Sequence, residues 1–551
     1  MKNQLNIGFL VDNLNVDHNT YNLIEYVANS SFLTPFIIIN HKQEDDTKHK
    51  RTFKKIIFDS LVRKVRKKET REVRKVYPNY LKSISLKNIK NLRYLKAKAD
   101  WSKSRLYFDM SEKIIDDIKK RKIDLIVRCG TGILKGKILN AVRFGVISVH
   151  NGDNRSNRGG PPGFWEVLNK EPSSGFIIQK LNDELDGGDV IFRGNIMTAS
   201  TWLMNDANIT AKSNGFMKKI FNYISINEKL PPFEKISLHD DRLFKFNDNI
   251  TDILKYIILT RLPILKYKLI RAFIGKEIDI WSIAYSKFDN FKKSLWRYKE
   301  IKNPSNRYLA DPFIITKNNR SIIFAEDYFY KDFKGRISAI EIKENKEIHL
   351  GVVLEEPFHL SYPYIFEDNN IIYMIPETHQ SNQIRLYECV DFPLKWKFKM
   401  TLMKNISAAD SMVIKKNEKW FLLTNICSSY VKDFNSELHV FYSENLLSDN
   451  WLPIKCGNPV IFDSRKGRNG GIIHIKDQIY RVNQIQDQNH YGKKFAINLI
   501  VDLNEFSYSE KLVDTIKPNF KENSISTHHF NTNDQYSVVD YMRKVNIGKY
   551  F

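Results

Sequence analysis

Residues 148–190 read SVHNGDNRSNRGGPPGFWEVLNKEPSSGFIIQKLNDELDGGDV. They place His150 at the end of an apolar run and Asp186 in an LDGGD turn 36 positions later, with a glycine- and proline-rich loop between them. A histidine at a strand end can polarise a carbonyl oxygen, and a carboxylate on a neighbouring turn can take up a proton. Together they suit acyl transfer to an amine, with Ser148 as a further hydroxyl donor. A His–Asp pair so far apart says little without its surroundings. Asn151 and Asp153, just after the histidine, are candidates to supply a missing donor or to hold an amino group. A second set of chemistry-bearing residues lies far downstream: Asp311 in ADPF, Glu326, Glu377 in MIPE and Asp410 in AADS. Several carboxylates sharing one channel are what cleavage of a glycosidic bond needs. Aspartate at a strand entry also commonly does no more than bond turn backbone. His528 and His529 can contact a metal or sugar hydroxyls, but with no third ligand in view no metal is expected.

The elements that must position these groups differ between the two halves. Residues 4–12, 34–40, 123–128 and 145–149 are short runs rich in Ile and Val, separated by helical stretches such as Ser111–Lys122, where Ser111 is placed to act as N-cap. That alternation predicts an α/β, Rossmann-like domain with a mostly parallel sheet, whose ligands sit beyond the carboxyl ends of the strands. His150 falls at such a place. From about Trp281 short strands dominate. The stretches 308–316, 360–368, 408–416, 468–476 and 526–534 each precede a second strand and recur at roughly 50–60-residue spacing, the period of propeller blades. An all-β five-bladed propeller is expected, with Asp311, Tyr362, Asp410, Arg468, Gly470 and His528 facing a common axis. The expected division is a catalytic domain over 1–205 carrying a basic insertion at 42–105, a helical basic linker over 206–280, and the propeller over 281–551.

Over about residues 4–200 the sequence resembles the formyltetrahydrofolate-dependent formyltransferases. CGTGILKGKIL (129–139) is similar to that family's pterin-holding loop, with Ile133 and Leu134 standing 17 and 16 residues before His150. RGGPPGFW (158–165) is similar to the loop that shapes the acceptor side, and 172–191 to the two strands around the catalytic aspartate. The resemblance implies N10-formyltetrahydrofolate as co-substrate, with Gly132, Ile133, Leu134 and Asp183 at the cofactor. It places Arg158, Gly159, Gly160, Pro161 and Trp165 at the acceptor. It gives His150 the task of polarising the formyl group, and Asp186 those of supporting the histidine and assisting proton removal. The sequence departs from the family at Ser148, where relatives carry an asparagine, and loss of one oxyanion donor costs about 10²–10³ in rate. The downstream repeats resemble the arabinanase- and invertase-like propellers. EEPFHLSYPYIF with YMIPE resembles the propeller domain associated with glucosamine inositolphosphorylceramide transferases. Fusion to a glycan-type propeller implies an amino sugar as acceptor, nucleotide- or lipid-linked, in surface polysaccharide biosynthesis. Two alternatives stay open: a carbohydrate-binding or glycosyltransferase-associated protein with a vestigial formyltransferase fold, and a glycoside hydrolase centred on the propeller.

Composition narrows the setting. Four cysteines with no close pair predict neither a disulfide framework nor a zinc site and fit a reducing compartment. The first apolar run is too short for a signal peptide, and no stretch reaches the length of a membrane span. A cytoplasmic protein is expected. The net charge of +24 is concentrated in 42–105, which holds 22 Lys/Arg against seven Asp/Glu. No nucleic-acid motif accompanies it. Residues 53–68 and 253–275 interleave apolar and basic residues at helical spacing, which makes peripheral contact with an anionic membrane an expectation.

Overall fold

The computed structural model describes residues 3–40, 52–103, 106–155, 160–184, 188–234, 249–273, 277–287, 295–344, 346–427, 432–488 and 490–546. The chain separates into two compact units, Met1–Leu262 and Pro263–Phe551. No described helix is long and apolar enough to cross a membrane.

The first unit is built on seven strands: β1 (Leu5–Val11), β2 (Leu33–Asn40), β3 (Arg93–Ala97), β4 (Leu125–Arg128), β5 (Val146–His150), β6 (Ser173–Lys180) and β7 (Asp189–Met197). Their order in the sheet is β7-β6-β5-β4-β1-β2-β3. The five strands from β5 to β3 run parallel, and β6 and β7 add an antiparallel edge. The central strands are apolar on both faces because both are covered. Leu10, Ile38 and Ile126 pack with Ile115 and Ile118 of helix α3 (Glu112–Lys120), whereas Phe9 meets Phe221 of helix α5 (Trp202–Asn227), their ring centroids 6.3 Å apart. Ser111 stands at the N-cap of α3 without a side-chain capping bond. The chain runs outward from β1 through β2 to β3, then returns to β4 on the other side of β1. The carboxyl ends of β1 and β4 therefore form the switch point at which such sheets bind ligands.

Two expectations need correction here. The segment 42–105 is more than a solvated helical insertion. It contains helix α2 (Phe53–Val76), whose Phe58, Val65, Glu69 and Val73 form one buried stripe, and also the edge strand β3. The charges of RYLKA hid that strand, and charge is what an exposed sheet edge favours. The described residues from 206 to 262 likewise belong to the first unit, and the division between the units falls just after them. Helix α5 belongs to the core of the first unit, with Phe216 stacked on Phe192 at 4.2 Å. Helix α6 (Ile250–Phe273) packs Ile253 and Tyr256 into the same core as α2. Glu69 clasps the three helices, accepting from the Tyr256 hydroxyl at 2.6 Å and the Leu203 N–H at 3.1 Å, with Arg261 at 3.3 Å.

Among the described residues the second unit holds five antiparallel sheets. Four are contiguous in sequence, beginning with Arg307–Lys317, Ser361–Asp368, Ala408–Lys416 and Asn469–Ile475. The fifth is assembled from both ends of the unit: Glu277–Lys287 pairs with Tyr536–Asn546 along its whole length. The first strands touch in cyclic order, 307–317 against 361–368, then 408–416, 469–475, 530–532 and back to 307–317. The ring closes through non-local pairing, which the repeat pattern alone did not show.

Candidate functional site

A cavity of about 470 Å³ opens at the switch point of the first unit. Its walls include Asp17, His18 and Thr20 at the start of helix α1 (His18–Ala28), Arg128–Gly130 after β4, Ser148–Asn151 at the end of β5, and Asp206 and Thr210 on α5. The loop after β4 is held in shape from two sides. The Arg128 guanidinium donates to the Gly130 and Gly132 carbonyls. Asp12, directly after β1, accepts from the Thr131 N–H and hydroxyl, each at 2.9 Å. A Cβ at Gly130 would collide with the Asp12 carboxylate, so the turn needs glycine there.

Ser148, His150 and Asn151 share this wall, but their capacities differ. The Ser148 hydroxyl is turned to the Val149 carbonyl at 3.3 Å. Asn151 donates from Nδ2 to Thr210 Oγ1 at 3.2 Å, and that hydroxyl donates in turn to the Asp206 carbonyl at 2.8 Å. The chain of donors fixes which way the amide faces. It leaves the buried Asn151 Oδ1 as an acceptor with no partner among the described residues. Such an orphan acceptor costs free energy unless a donor reaches it. Asp206 accepts from the Tyr80 hydroxyl at 2.6 Å, and burial pushes its carboxyl above the usual range, with Asp17 adding to the effect. His18 Nε2 lies 3.1 Å from Asn22, and burial lowers the pKa of its ring. Burial pushes the Cys129 thiol up to about 12, which disfavours the reactive thiolate.

Other sequence candidates are placed elsewhere. Asp153 is buried in a clamp, bonded to Arg155 at 2.8 Å and to Arg193. Burial works against its charge, yet the two guanidinium groups hold its carboxyl below the usual range. It therefore reads as a structural ion pair rather than a donor or amine holder. Leu134 is a core side chain, and Ile133–Leu134 pair as a short strand with Tyr107–Phe108. Gly132 lies against the Trp101 ring. Asp183 accepts from the Gly136 N–H at 3.0 Å, tying that loop down. The Gly160 carbonyl accepts from Trp165 Nε1 at 3.1 Å, and Pro161 follows it into helix α4 (Phe164–Asn169), whose Trp165 is buried. Asp186, Arg158 and Gly159 lie outside the described residues. Asp12, His18, Tyr80, Arg128, Asp206 and Thr210 were missed. Asp12 alone carried a local signal, as the polar residue closing the first strand.

In the second unit the ring brings together the candidates the repeats singled out. Asp311, Tyr362 and Asp410 have positive φ values of 50°, 44° and 48°, each at a bulge that interrupts the first strand of its sheet. Bulges re-aim side chains, and such backbone strain persists only where the surroundings impose it. Gly470 sits at the corresponding bulge of the fourth sheet. Arg468 reaches Asp410 at 2.6 Å and Glu377 at 3.5 Å. Gln484 adds a bond to Asp410 at 3.0 Å. Glu377 also meets His379 at 2.7 Å. Burial alone would raise the Glu377 carboxyl, but His379 and Arg468 bring it down to about 2. Glu326 goes the other way, raised well above the usual range by burial and by the Asp311, Glu377 and Asp410 charges. His359 accepts the Gly335 N–H at Nδ1 and presents Nε2 to Glu326 at 3.4 Å. His528 lies between Asp540 at 2.6 Å and Asp311 at 3.3 Å. Burial favours its neutral ring, yet the two carboxylates raise its pKa, while Asp311 itself is raised by burial to about 6. The buried His529 is neutral, lowered by burial to about 3. Asp311, His528 and Asp540 offer ligand atoms close enough together to hold a cation, with the histidine lying between the two carboxylates. Carboxyls with separated pKa values are equipped both to donate protons and to accept them.

Residues 295–544 match the family described as glucosamine inositolphosphorylceramide transferase 1, N-terminal. Within the chain, 237 residues are 32% identical to the Arabidopsis thaliana glucosamine inositolphosphorylceramide transferase 1, covering 41% of this chain and 30% of that relative. The chain thus spans less than a third of that relative's length. It is also 23% identical over 217 residues to the methionyl-tRNA formyltransferase of Clostridium beijerinckii, covering 39% of this chain and 67% of the relative. Among solved structures, the sugar 3N-formyltransferase WlaRD, crystallised in the presence of dTDP and 5-N-formyl-THF, has a TM-score of 0.28 at 12% identity, covering 62% of this chain and 99% of its own. Both resemblances read from the sequence, to formyltransferases and to the transferase-associated domain, are thus matched among known proteins, and the two curated relatives are transferases by name.

Proposed function

We propose that the first unit is an N-formyltransferase that moves a formyl group from N10-formyltetrahydrofolate to the amine of an amino sugar. The observation that carries this reading is that His150 and Asn151, whose Oδ1 has no hydrogen-bond partner among the described residues, line one cavity at the switch point of the sheet. The folate, when bound, supplies an activated formyl carbon. His150 donates a hydrogen bond to the formyl oxygen, where charge gathers as the amine attacks. Asn151 Oδ1 accepts an N–H of the amine and so aims its lone pair. The new bond joins the sugar nitrogen to the formyl carbon, the bond to folate N10 breaks, and the proton lost by the amine ends on N10. Asp186 is proposed to orient His150 and relay that proton, with Asp206 as a second carboxylate on the cavity wall. Ser148 contributes little, since its hydroxyl faces backbone. Gly132, Ile133, Leu134 and Asp183 act by shaping the folate loop, and Arg158, Gly159, Gly160, Pro161 and Trp165 by shaping the acceptor side. The scattered free cysteines support a cytoplasmic location.

The ring of five sheets is read as a five-bladed propeller whose centre handles the glycan to which the sugar belongs. The separated carboxyls Glu326 and Glu377 support this role. His359, His379 and Arg468 keep 21%, 30% and 15% side-chain exposure, which leaves that side of the cluster open to a polyhydroxylated ligand. Incubating the full chain with N10-formyltetrahydrofolate and a panel of nucleotide-linked amino sugars, read by mass spectrometry, tests the proposal. A formylated sugar that disappears with His150→Ala supports it. No formylated product from a panel covering the common amine positions counts against it and favours a glycan-binding protein with a vestigial transferase fold.

A further inference from the structure

We infer that the first unit carries a docking surface for an anionic lipid bilayer, formed by the outer faces of α2 and α6. Both helices present one face to the protein: Phe58, Val65 and Val73 of α2 and Ile253 and Tyr256 of α6 belong to one core. Their other faces carry exposed apolar side chains, grouped at the start of α2 and along α6. On α6, Leu254, Ile258 and Leu262 are 43%, 57% and 57% exposed, at a spacing that sets them on one stripe. At the start of α2, Phe53, Ile56 and Ile57 are 77%, 51% and 37% exposed. Exposed side chains of this size, grouped on a pair of packed helices, mark a surface that something covers.

Charge identifies the cover. Helix α2 carries ten Lys/Arg against three Asp/Glu. Lys54, Lys64 and Lys67 are exposed beside its apolar positions, as Lys255 is beside Leu254 on α6. A second copy of the chain would bring like charge to like charge, which disfavours a symmetric contact. An anionic bilayer satisfies both features at once, taking the aliphatic side chains into its acyl boundary and the lysines among its headgroups. Neither helix is apolar enough to span, so the helices lie on the surface. This inference does not depend on the chemistry of the cavity.

Flotation of the full chain with phosphatidylglycerol–phosphatidylcholine vesicles, against phosphatidylcholine alone, tests it. The expected result is binding to the mixed vesicles only, weakened by salt. The double variant Ile258→Ser, Leu262→Ser should bind at least about tenfold more weakly, since each lost aliphatic group removes transfer free energy. The double variant Lys64→Glu, Lys67→Glu should lose binding as well. Both replace exposed side chains, and unchanged affinity for 5-formyltetrahydrofolate or an unchanged circular dichroism spectrum shows that the fold is kept. No binding by the wild type, equal binding to neutral vesicles, or binding indifferent to both variants would overturn the inference. So would concentration-dependent self-association that the Ile258→Ser, Leu262→Ser change abolishes.

Discussion

The first unit keeps open space, and the second keeps charge. In the cavity at the sheet's switch point, His150 stands beside an amide oxygen with no partner among the described residues and a serine turned to its own backbone. In the ring of five sheets, Asp410, Glu377, His528, Asp311 and Asp540 are buried, and they pair with one another or with the part-exposed Arg468. Room and an unsatisfied acceptor suit a site where two substrates meet. A network of buried ion pairs holds a fixed electrostatic pattern, and removing one partner leaves uncompensated charge. The same kind of substitution should therefore have opposite consequences in the two units.

The largest effect should come from His150→Ala. Formyl transfer should fall by about 10²–10⁴-fold, as expected for loss of a group acting on the reacting carbonyl. Denaturation of the chain should hardly change. Steady-state rates beside denaturation curves check both halves of that statement. Arg468→Met should invert the pattern, costing about 3–5 kcal/mol because Asp410 and Glu377 lose their cation in a buried place. Folate-analogue binding should survive it. Chemical denaturation that left the second unit unmoved would remove the distinction between the two regions.

Titration sharpens the comparison. His528 and Asp311 both hold protons more tightly in the folded chain than their ordinary values allow. Where the folded state binds more protons than the unfolded state, stability falls as pH rises. The His528 contribution is fully present below the ordinary histidine pKa of 6.5 and is lost as pH rises through its raised value. Asp311 acts in the same direction up to about pH 6. His528→Gln should thus cost the second unit more stability at mildly acidic pH than at alkaline pH, which unfolding midpoints of both proteins across that range check. The smallest effect is expected from Tyr80→Phe, which removes one hydrogen bond to Asp206 and should cost about 1 kcal/mol, seen as a several-fold rise in KM for the amine.

Much of this was legible in the chain. Apolar runs gave β1, β2, β4 and β5, and the strand-end rule put His150 at the ligand-binding edge. The repeating motifs located Asp311, Tyr362, Asp410, Arg468 and His528 at the strands that converge. What escaped depends on distant partners. Strand β3 was masked by surface lysines and an arginine. The pairing of Glu277–Lys287 with Tyr536–Asn546 joins residues 249 to 269 positions apart, which no local pattern encodes. Asp206 and Thr210 lie inside an ordinary-looking helix and matter only because α5 passes the end of β5. Asp153 looked available beside the histidine, but Arg193, forty residues on, claims it. Leu134 matched the family spacing, yet its side chain belongs to the core.

The central claim is that the cavity of the first unit accepts a formylfolate. Isothermal titration of the full chain with 5-formyltetrahydrofolate, a stable analogue, tests it most directly. The account predicts saturable binding at one site, kept by Arg468→Met and weakened by Gly130→Val, which would force the Asp12-held loop out of shape. A well-folded chain that takes up no folate analogue would contradict the account and leave the second unit as the seat of function.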